Sequence, residues 1–523
     1  MTSECPKRGV NRRQVLLAGA ATALAAGIGV RAAGAQGLPK PGGRLRLGLS
    51  HANTADDNDP ATWGTSAVVN VGLWGAVYNN LTEIAPDGQL VSELAESIEP
   101  SKDAVTWAFK LRKGVTFHNG KSLDADDVVA SLNHHRGPES KSAAKAIVAQ
   151  IADVKADGKD TVVVTLTSGS ADFPTLCTDY HLVIGAAKDG KIDWDTCNGT
   201  GGYKFVSHQP GIRMALKRNP GYWKAGRAHF EDVELLAIGD VTARMNALIT
   251  DAVDVINRVD LKVVELLKRN KTIVLEETTG TQHYTIPMFT DTAPFNDNNV
   301  RLALKYAIDR EAMVRTILRG HGKIGNDTPI TPANRYFAAD IPIRPYDPEK
   351  ARFYLKQAGH DSLKLDLHAA DAAFNGALDT AVLFKEHAAK AGIDIDVVRE
   401  PNDQYWSNVW TKKPFVMCYW AGRPTEDWMF SQVYAKGAVW NDTHWDNERF
   451  NRLLLEARAE LDTQKRRDMY REMQILVHDD GGTIVPMYPN YIDARSEKIA
   501  RGPVIASNYD LDGWKCIERW WTA

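Results

Sequence analysis

The segment 106–131 constrains the fold more than any other part of this 523-residue chain, and it has the sequence TWAFKLRKGVTFHNGKSLDADDVVAS. Apolar and polar residues alternate over 107–111, which is typical of a half-buried strand. The pairs Lys113-Gly114 and Asn119-Gly120 predict turns on either side of a second short strand that holds Val115 and Phe117. Asp124 is placed to cap a helix that follows. The segment therefore predicts a strand–turn–strand–helix unit.

Strand-like and helix-like segments alternate along the rest of the chain, which is typical of an α/β architecture. Residues 45–49 and 162–166 predict strands, and the apolar spacing over 300–318 predicts a helix that ends at Gly320. The apolar fraction of 44% is enough to form a large core. No apolar stretch after residue 35 is long enough to span a membrane.

Residues 1–35 are predicted to be a cleavable targeting segment. The twin arginine Arg12-Arg13 precedes a long apolar run, and the small residues at 33–35 suit a signal peptidase, which makes Gln36 the first mature residue. A membrane anchor is the alternative, but the run is short and rich in alanine and glycine. We therefore expect export by the twin-arginine route.

The charge of the chain limits the kinds of partner it can bind. The net charge is −3, and residues 1–35 hold five basic residues and one acidic residue, so the remainder is mildly acidic. An acidic chain without basic runs argues against nucleic acid as a partner.

Four cysteines follow the targeting segment, and their spacings are not typical of a metal site. Cys177 with Cys197 is the most local disulfide available, whereas Cys418 lies in an apolar run that equally suits a buried thiol. Cys516 completes the set.

The segment 106–131 closely resembles the signature of the family 5 solute-binding proteins of ABC importers, F-x-L-R-x-G-V-x-F-H-x-G followed by an acidic helix start. Four further matches follow in the family's order. They are G-T-G-x-Y at 199–203, R-N-P-x-Y-W at 218–223, the block from P-F-x-D to A-I-D-R-E at 294–311, and Y-D-P-E-K-A to A-G at 346–359. One such match is weak, but five in order extend the resemblance over nearly the whole chain after residue 35.

The resemblance implies an α/β clamshell of two lobes, the type II periplasmic-binding-protein fold, with an extra subdomain inserted in the N-terminal lobe. Its expected parts are the twin-arginine signal peptide 1–35, lobe I formed by 36–75, 195–284 and 491–523, the inserted subdomain 76–194, and lobe II formed by 285–490.

The resemblance also implies a function. A monomeric periplasmic receptor would capture a peptide-like or anionic solute between its lobes and deliver it to an inner-membrane ABC permease with cytoplasmic ATPase subunits. Such a receptor catalyses no reaction and needs no cofactor or metal. An ordinary dipeptide or oligopeptide receptor and a metal-chelate receptor of the same fold are the alternatives.

Arg423 is the most informative candidate for a ligand contact. Peptide-binding members of the family read W-x-[GA]-D at the end of one lobe II strand, and that aspartate pairs with the ligand's ammonium group. Here the corresponding segment begins at Trp420 and ends with Arg423. The charge is reversed, and a guanidinium suits a carboxylate or phosphate. Either a ligand anion or an internal pair with Glu426 or Asp427 would satisfy it.

Other candidates follow from position. Trp420 ends an apolar strand, Phe415 to Tyr419, at the edge where open α/β sheets place a crevice. His283 and Tyr284 precede the second lobe, so they could flank a cleft or pack at the crossover. The pair Trp440-Asn441 is similar to a loop that approaches the ligand in relatives, with a surface turn as the alternative.

A secreted serine acyl hydrolase is the least favoured class. Ser142 and Lys145 fit S-x-x-K, but the K-T-G companion of that motif is missing from the sequence. No H-E-x-x-H, C-x-x-C, P-loop or dinucleotide motif is present either. The sequence therefore predicts a binding protein and not an enzyme.

Overall fold

A ten-stranded sheet dominates the computed structural model, which describes residues 39–523 apart from positions 65, 403, 424 and 439. The predicted signal peptide lies outside the described residues. In order across the sheet the strands are Tyr203–Gln209, Arg213–Arg218, Asp232–Ala237, Arg44–Leu49, Val255–Ile256, Thr483–Ser496, His283–Pro287 and Cys418–Trp420. Two more strands, Ile273–Thr279 and Gly322–Ile324, pair with Thr483–Ser496.

The smaller sheets lie on either side in sequence. A four-stranded antiparallel sheet consists of Ala95–Pro100, Thr106–Leu111, Thr161–Leu166 and Ile151–Ala156. Leu363–Ala369 and Ile393–Arg399 form a parallel pair. The remaining two-stranded sheets pair Thr82–Ile84 with Leu90–Ser92, Ala187–Lys188 with Lys191–Ile192, and Ile499–Ala500 with Trp521–Thr522.

Helices connect most of these strands, so the predicted mixture of α and β structure is confirmed. The α-helices of the described residues are Ala67–Val69, Ala125–His134, Lys145–Val148, Phe173–Leu176, Val241–Ile249, Val264–Leu267, Asn298–Tyr306, Arg310–Thr316, Pro348–Gln357, Ala377–Ala389, Tyr405–Asn408, Glu426–Met429, Glu448–Ala459, Thr463–Asp480, Asp510–Gly513 and Cys516–Arg519. Short 3₁₀ turns occupy Pro60–Thr62 and Trp194–Thr196, and π-helical segments occupy Asn70–Val77 and Phe430–Tyr434.

The segment 106–131 folds largely as its sequence predicts. Thr106–Leu111 is a strand, and Asp124 caps the helix Ala125–His134 by accepting a hydrogen bond from the backbone of Asp127. The prediction of a second strand around Val115 and Phe117 is wrong. Only an isolated bridge joins Thr116 to Ser122, because the two turns leave too few residues for a ladder. The single helix over 300–318 is also wrong, since it divides at a new cap, Asp309.

Separate apolar cores include residues from different strands of the large sheet. One core gathers residues from 45–78, 183–255 and 499–520, and a second gathers residues from 286–417 and 484–487. A third fills the region 81–184. All four cysteines after the targeting segment are buried free thiols, so the Cys177–Cys197 disulfide is not formed. The predicted lobe boundaries stay a prediction, because residues 37–523 form one compact unit.

A buried ionic cluster stabilises the part of the fold around the second core. Asp327 is fully buried and accepts two hydrogen bonds from Arg310, at 2.6 and 2.7 Å, and one from Arg344 at 3.1 Å. It also accepts the backbone N–H of Val485 in the long strand. Burial alone would raise the pKa of Asp327, but Arg310, Lys305 and Arg344 outweigh it and lower that pKa to about 2.

Replacing Asp327 by alanine should reduce the free energy of unfolding by about 3–5 kcal/mol, because two buried guanidinium groups lose their counter-ion. Urea denaturation at pH 7 measures this loss. Because the folded pKa lies below the ordinary value of about 3.9, the stabilisation by the wild-type carboxylate should be complete above about pH 4 and be lost as the pH falls toward 2.

Asp340→Ala is the matched control. Asp340 also pairs with an arginine, Arg471, but the two side chains are 60% and 45% exposed. Water screens an exposed pair, so its loss should change the free energy of unfolding far less than the loss of Asp327. Equal losses of unfolding free energy in the two variants would contradict the conclusion that the buried cluster stabilises the fold.

Candidate functional site

A cleft of about 910 Å³ opens between the first and second apolar cores. The long strand Thr483–Ser496 crosses it, and residues 489–493 of that strand form its floor. Tyr180 and Tyr509, which pack against the first core, line one wall. Tyr284 and Tyr419, which pack against the second core, line the other. The cleft is therefore bounded by residues that pack against each of the two cores. We call the parts of the molecule around the first and the second core its two halves.

Alternation along two paired strands selects which side chains reach the cleft. His283–Pro287 pairs antiparallel with Cys418–Trp420, so Tyr284 lies opposite Tyr419 and His283 lies opposite Trp420. Successive side chains of a strand point to opposite faces. The two tyrosines consequently line the cleft, whereas His283 and Trp420 are buried on the other face, at 0% and 6% exposure.

Arg423 follows the strand Cys418–Trp420 and lines the cleft. Its Nε donates to Oε1 of Gln432 at 2.5 Å, and its Nη1 donates to the carbonyl oxygens of Ala421 and Gly422 at 2.9 and 3.3 Å. All three partners are neutral. Burial lowers the pKa of the guanidinium below its ordinary value. The group stays charged, since an arginine pKa begins above 12.

The internal pairing of Arg423 with a carboxylate is not formed within the described residues. Glu426 instead accepts the backbone N–H of Tyr336 at 2.7 Å. Asp427 pairs with Arg458 at 3.1 Å. The positive charge of Arg423 therefore has no anionic partner among the side chains that the structure describes.

A smaller cavity of about 70 Å³ meets the cleft at Arg423. Gly422, Arg423, Asn508 and Tyr509 line both spaces. Polar side chains of the two halves, Asp172 among them, line the rest of the smaller cavity. This arrangement places the guanidinium at the junction of the two spaces.

Acidic side chains line the floor of the cleft and the wall that holds Tyr509. Asp510 lies 3.5 Å from Nε of Arg258, and Asp493 accepts the backbone N–H of Arg258 at 3.4 Å. Burial, and then the neighbouring Asp510, raise the pKa of Asp493 well above its ordinary value. The sequence analysis missed these residues, since no local pattern marks them; only the expectation that the C-terminus completes lobe I pointed to this region.

The remaining candidates lie outside the residues that line the cleft. Trp420 donates its indole N–H to Asp442 at 3.3 Å, and burial lowers the pKa of His283 to about 3. Trp440 is 39% exposed and its ring centre lies 5.9 Å from that of Trp420. Asn441 donates to the backbone of Trp445 at 2.8 Å and so builds a turn.

The serine and metal alternatives have no site at this cleft among the described residues. Ser142 is buried against Nδ1 of His135 at 2.7 Å and lines neither cavity. Within the described ranges, no group of three or more His, Cys, Asp or Glu side chains is arranged to hold a metal ion. The cleft therefore offers charge, hydroxyl groups and aromatic faces, which are the means of binding.

Comparison with known proteins agrees with this geometry. Residues 89–442 match the model of the bacterial extracellular solute-binding proteins, family 5. The chain is 25% identical over 437 residues to a glutathione-binding protein of Pectobacterium atrosepticum, covering 81% of this chain and 85% of that protein. It is 26% identical over 446 residues to the dipeptide-binding protein of Escherichia coli, covering 78% and 83%.

A solved structure, HbpA2 from Haemophilus parasuis, superposes with a TM-score of 0.79 at 22% identity, over 88% of this chain and 96% of that one. The chain thus belongs to the family 5 bacterial extracellular solute-binding proteins. Its fold is the periplasmic-binding-protein fold that the resemblance implied. Proteins of this family bind small solutes and work with ABC permeases. Among the helices of the described residues, none has both the length and the apolar content needed to cross a membrane.

Gly422 fixes the position of Arg423, and its replacement should be costly. A Cβ atom at residue 422 would lie 1.6 Å from Oγ1 of Thr281 and 2.8 Å from its carbonyl carbon. Gly422→Ala should therefore lower the free energy of unfolding by about 1–3 kcal/mol, the usual cost of overpacking. Gly502→Ala, whose nearest neighbour would lie at 3.7 Å, is the control. Equal stability of both variants in urea denaturation would refute the close approach.

Proposed function

We propose that this chain is the substrate receptor of an ABC importer and that the cleft is its binding site. The observation that carries the proposal is the cleft of about 910 Å³ bounded by side chains of both cores. A solute held by both walls has a higher affinity for the closed arrangement than for an open one, so binding shifts the population toward closure. The closed receptor then delivers the solute to an inner-membrane permease driven by cytoplasmic ATPase subunits.

The solute is a small peptide-like or anionic organic molecule, and Arg423 favours an anionic group at one end of it. A guanidinium that is desolvated on closure without a counter-ion would cost several kcal/mol. A carboxylate or phosphate group of the solute removes that cost with two parallel hydrogen bonds. The relatives named for glutathione and for dipeptides bind molecules that carry carboxylates, which agrees with this assignment.

An ordinary dipeptide receptor is the second candidate. Asp493 on the floor and Asp510 on the wall beside Tyr509 favour it, because the negative charge of this acidic pair would attract an ammonium group of a peptide. A peptide would then lie with its carboxylate toward Arg423. An aspartate at position 423 would imply the opposite direction, with the ammonium group of the peptide there.

Arg423→Ala should weaken binding of the natural solute at least tenfold. The solute is first identified by native and then denaturing mass spectrometry of the protein purified from its own periplasm, and its affinity is then measured by calorimetry. Arg452→Ala removes an exposed arginine of the helix Glu448–Ala459 and should leave the affinity unchanged. An unchanged affinity in Arg423→Ala would contradict the role of Arg423 as an anion contact.

Export is proposed to use the twin-arginine route, with cleavage after Ala35 and a monomeric product in the periplasm. Replacing Arg12 and Arg13 by lysine should leave the unprocessed protein in the cytoplasm, because the route reads the arginine pair. Replacing Lys7 and Arg8 instead by arginine and lysine keeps the charge and should not affect export. N-terminal sequencing of the periplasmic protein should begin at Gln36, and processing of the double lysine variant would contradict the route.

A further inference from the structure

Three tyrosines line the cleft together with Arg423. They are Tyr180, Tyr419 and Tyr509, and all three are half-buried. The ring centres of Tyr180 and Tyr509 lie 6.5 Å apart. Tyr509 also lines the smaller cavity with Arg423, and Tyr419 lies four residues before Arg423 in the chain. Together with Arg423 we call them the arginine–tyrosine group.

The hydroxyl groups of these tyrosines have no hydrogen-bond partner among the described side chains and backbone groups. Two buried tyrosines outside the cleft differ in this respect. Tyr405 donates to the carbonyl oxygen of Met417 at 2.7 Å, and Tyr488 donates to that of Thr328 at 2.9 Å. A buried tyrosine hydroxyl usually finds such a partner. The hydroxyls of the arginine–tyrosine group are therefore available to a molecule in the cleft.

One guanidinium nitrogen of Arg423 is available as well. Its Nε and Nη1 are occupied by Gln432, Ala421 and Gly422. Nη2 has no partner among the described residues, although a guanidinium carries donors on all three nitrogens. The group thus offers one charged donor and three neutral hydroxyl donors on the cleft.

The charge of this group is a single positive unit. Arg258, the other arginine that lines the cleft, lies beside Asp510 on the opposite wall. Tyrosine hydroxyls stay neutral here, since burial raises the pKa of Tyr180 and Tyr509 above the ordinary value. A singly charged anion balances the group, whereas a dianion leaves one negative charge uncompensated in a half-buried site.

We infer that the arginine–tyrosine group binds one singly charged oxyanion of the transported solute, a carboxylate or a phosphodiester, and discriminates against dianionic phosphate monoesters. This inference rests on the proposed function, and it specifies the chemistry that the cleft selects. The three hydroxyls determine the number of oxygen atoms that are recognised, and Arg423 determines their charge.

The test titrates simple oxyanions against protein whose tyrosines carry ¹³C at Cζ, observed by NMR. Sodium acetate and dimethyl phosphate are the monoanionic probes, and sodium chloride at equal ionic strength is the control. Single Tyr→Phe variants assign the resonances of Tyr180, Tyr419 and Tyr509. We expect these three resonances to shift together and to saturate with either probe, and not with chloride.

Methyl phosphate tests the charge rule, because its second pKa is about 6, whereas dimethyl phosphate stays a monoanion and reports the effect of Glu426, whose pKa is about 7 and which lines the smaller cavity with Arg423. Between pH 5 and pH 8 methyl phosphate should lose at least ten times more affinity than dimethyl phosphate does. Arg423→Gln should weaken acetate binding at least tenfold, whereas Arg452→Gln, outside the cleft, should not. Thermal denaturation of both variants confirms that each is folded.

Three outcomes would overturn the inference: resonances that respond to acetate no more than to chloride, a response that survives in Arg423→Gln, or a loss of affinity between pH 5 and pH 8 that is no larger for methyl phosphate than for dimethyl phosphate. None of these would contradict the receptor function if a solute is recovered from the periplasmic protein. Saturable shifts with acetate would support the inference even if no solute is recovered, and the receptor function alone would then be in doubt.

Discussion

The strand Thr483–Ser496 is the element on which the rest of the structure depends. Its first half pairs with His283–Pro287 and Gly322–Ile324, on the side of the second core. Its second half pairs with Ile273–Thr279 and Val255–Ile256, on the side of the first core. A continuous strand keeps both halves in one register, because a slip of one residue would turn every side chain to the other face. The cleft lies where the strand passes from one half to the other.

Arg423 contrasts with the other buried arginines of the same half. Arg310 and Arg344 share Asp327, and Arg466 lies 2.5 Å from Asp172. Those pairs offset the desolvation of charge within the protein. Arg423 has only neutral partners, although Glu426 and Asp427 lie close in sequence. In this half, Arg310, Arg344 and Arg466 are paired with carboxylates, whereas Arg423 at the cleft has only neutral partners, which is the expected arrangement for a group that receives an anion.

Sequence patterns predicted local structure well and side-chain placement less well. Alternation over 107–111 identified a strand, and Asp124 identified a helix start, because both signals depend on neighbouring residues only. The lining of the cleft depends on strand pairing between distant segments. Trp420 and Tyr419 differ by one position, and pairing with His283 and Tyr284 decides which of them faces the cleft. The sequence alone does not contain that register.

Residues of the opposite wall were beyond prediction for a related reason. Tyr509 and Asp510 lie near the C-terminus, and Tyr180 lies in the predicted inserted subdomain, so no spacing connects them with Arg423. Only the motif order, which identified the family, carried information about such distant pairs. A reversed charge within a recognised motif was informative because the fold had already fixed where that residue lies.

The two halves also touch on the far side of the small cavity, where polar pairs lie beside the packing of Trp428 against the third core. Asp172 pairs with Arg466, and the backbone N–H of Ala171 donates to the carbonyl oxygen of Arg458 at 2.7 Å. Burial at this contact raises the pKa of Glu426 to about 7. Polar groups regain water when such a contact separates, so separation costs less than exposing an apolar core of equal area. This combination suits the receptor function proposed above, because the shared strand would keep the halves joined while the polar groups of the contact regained water on opening.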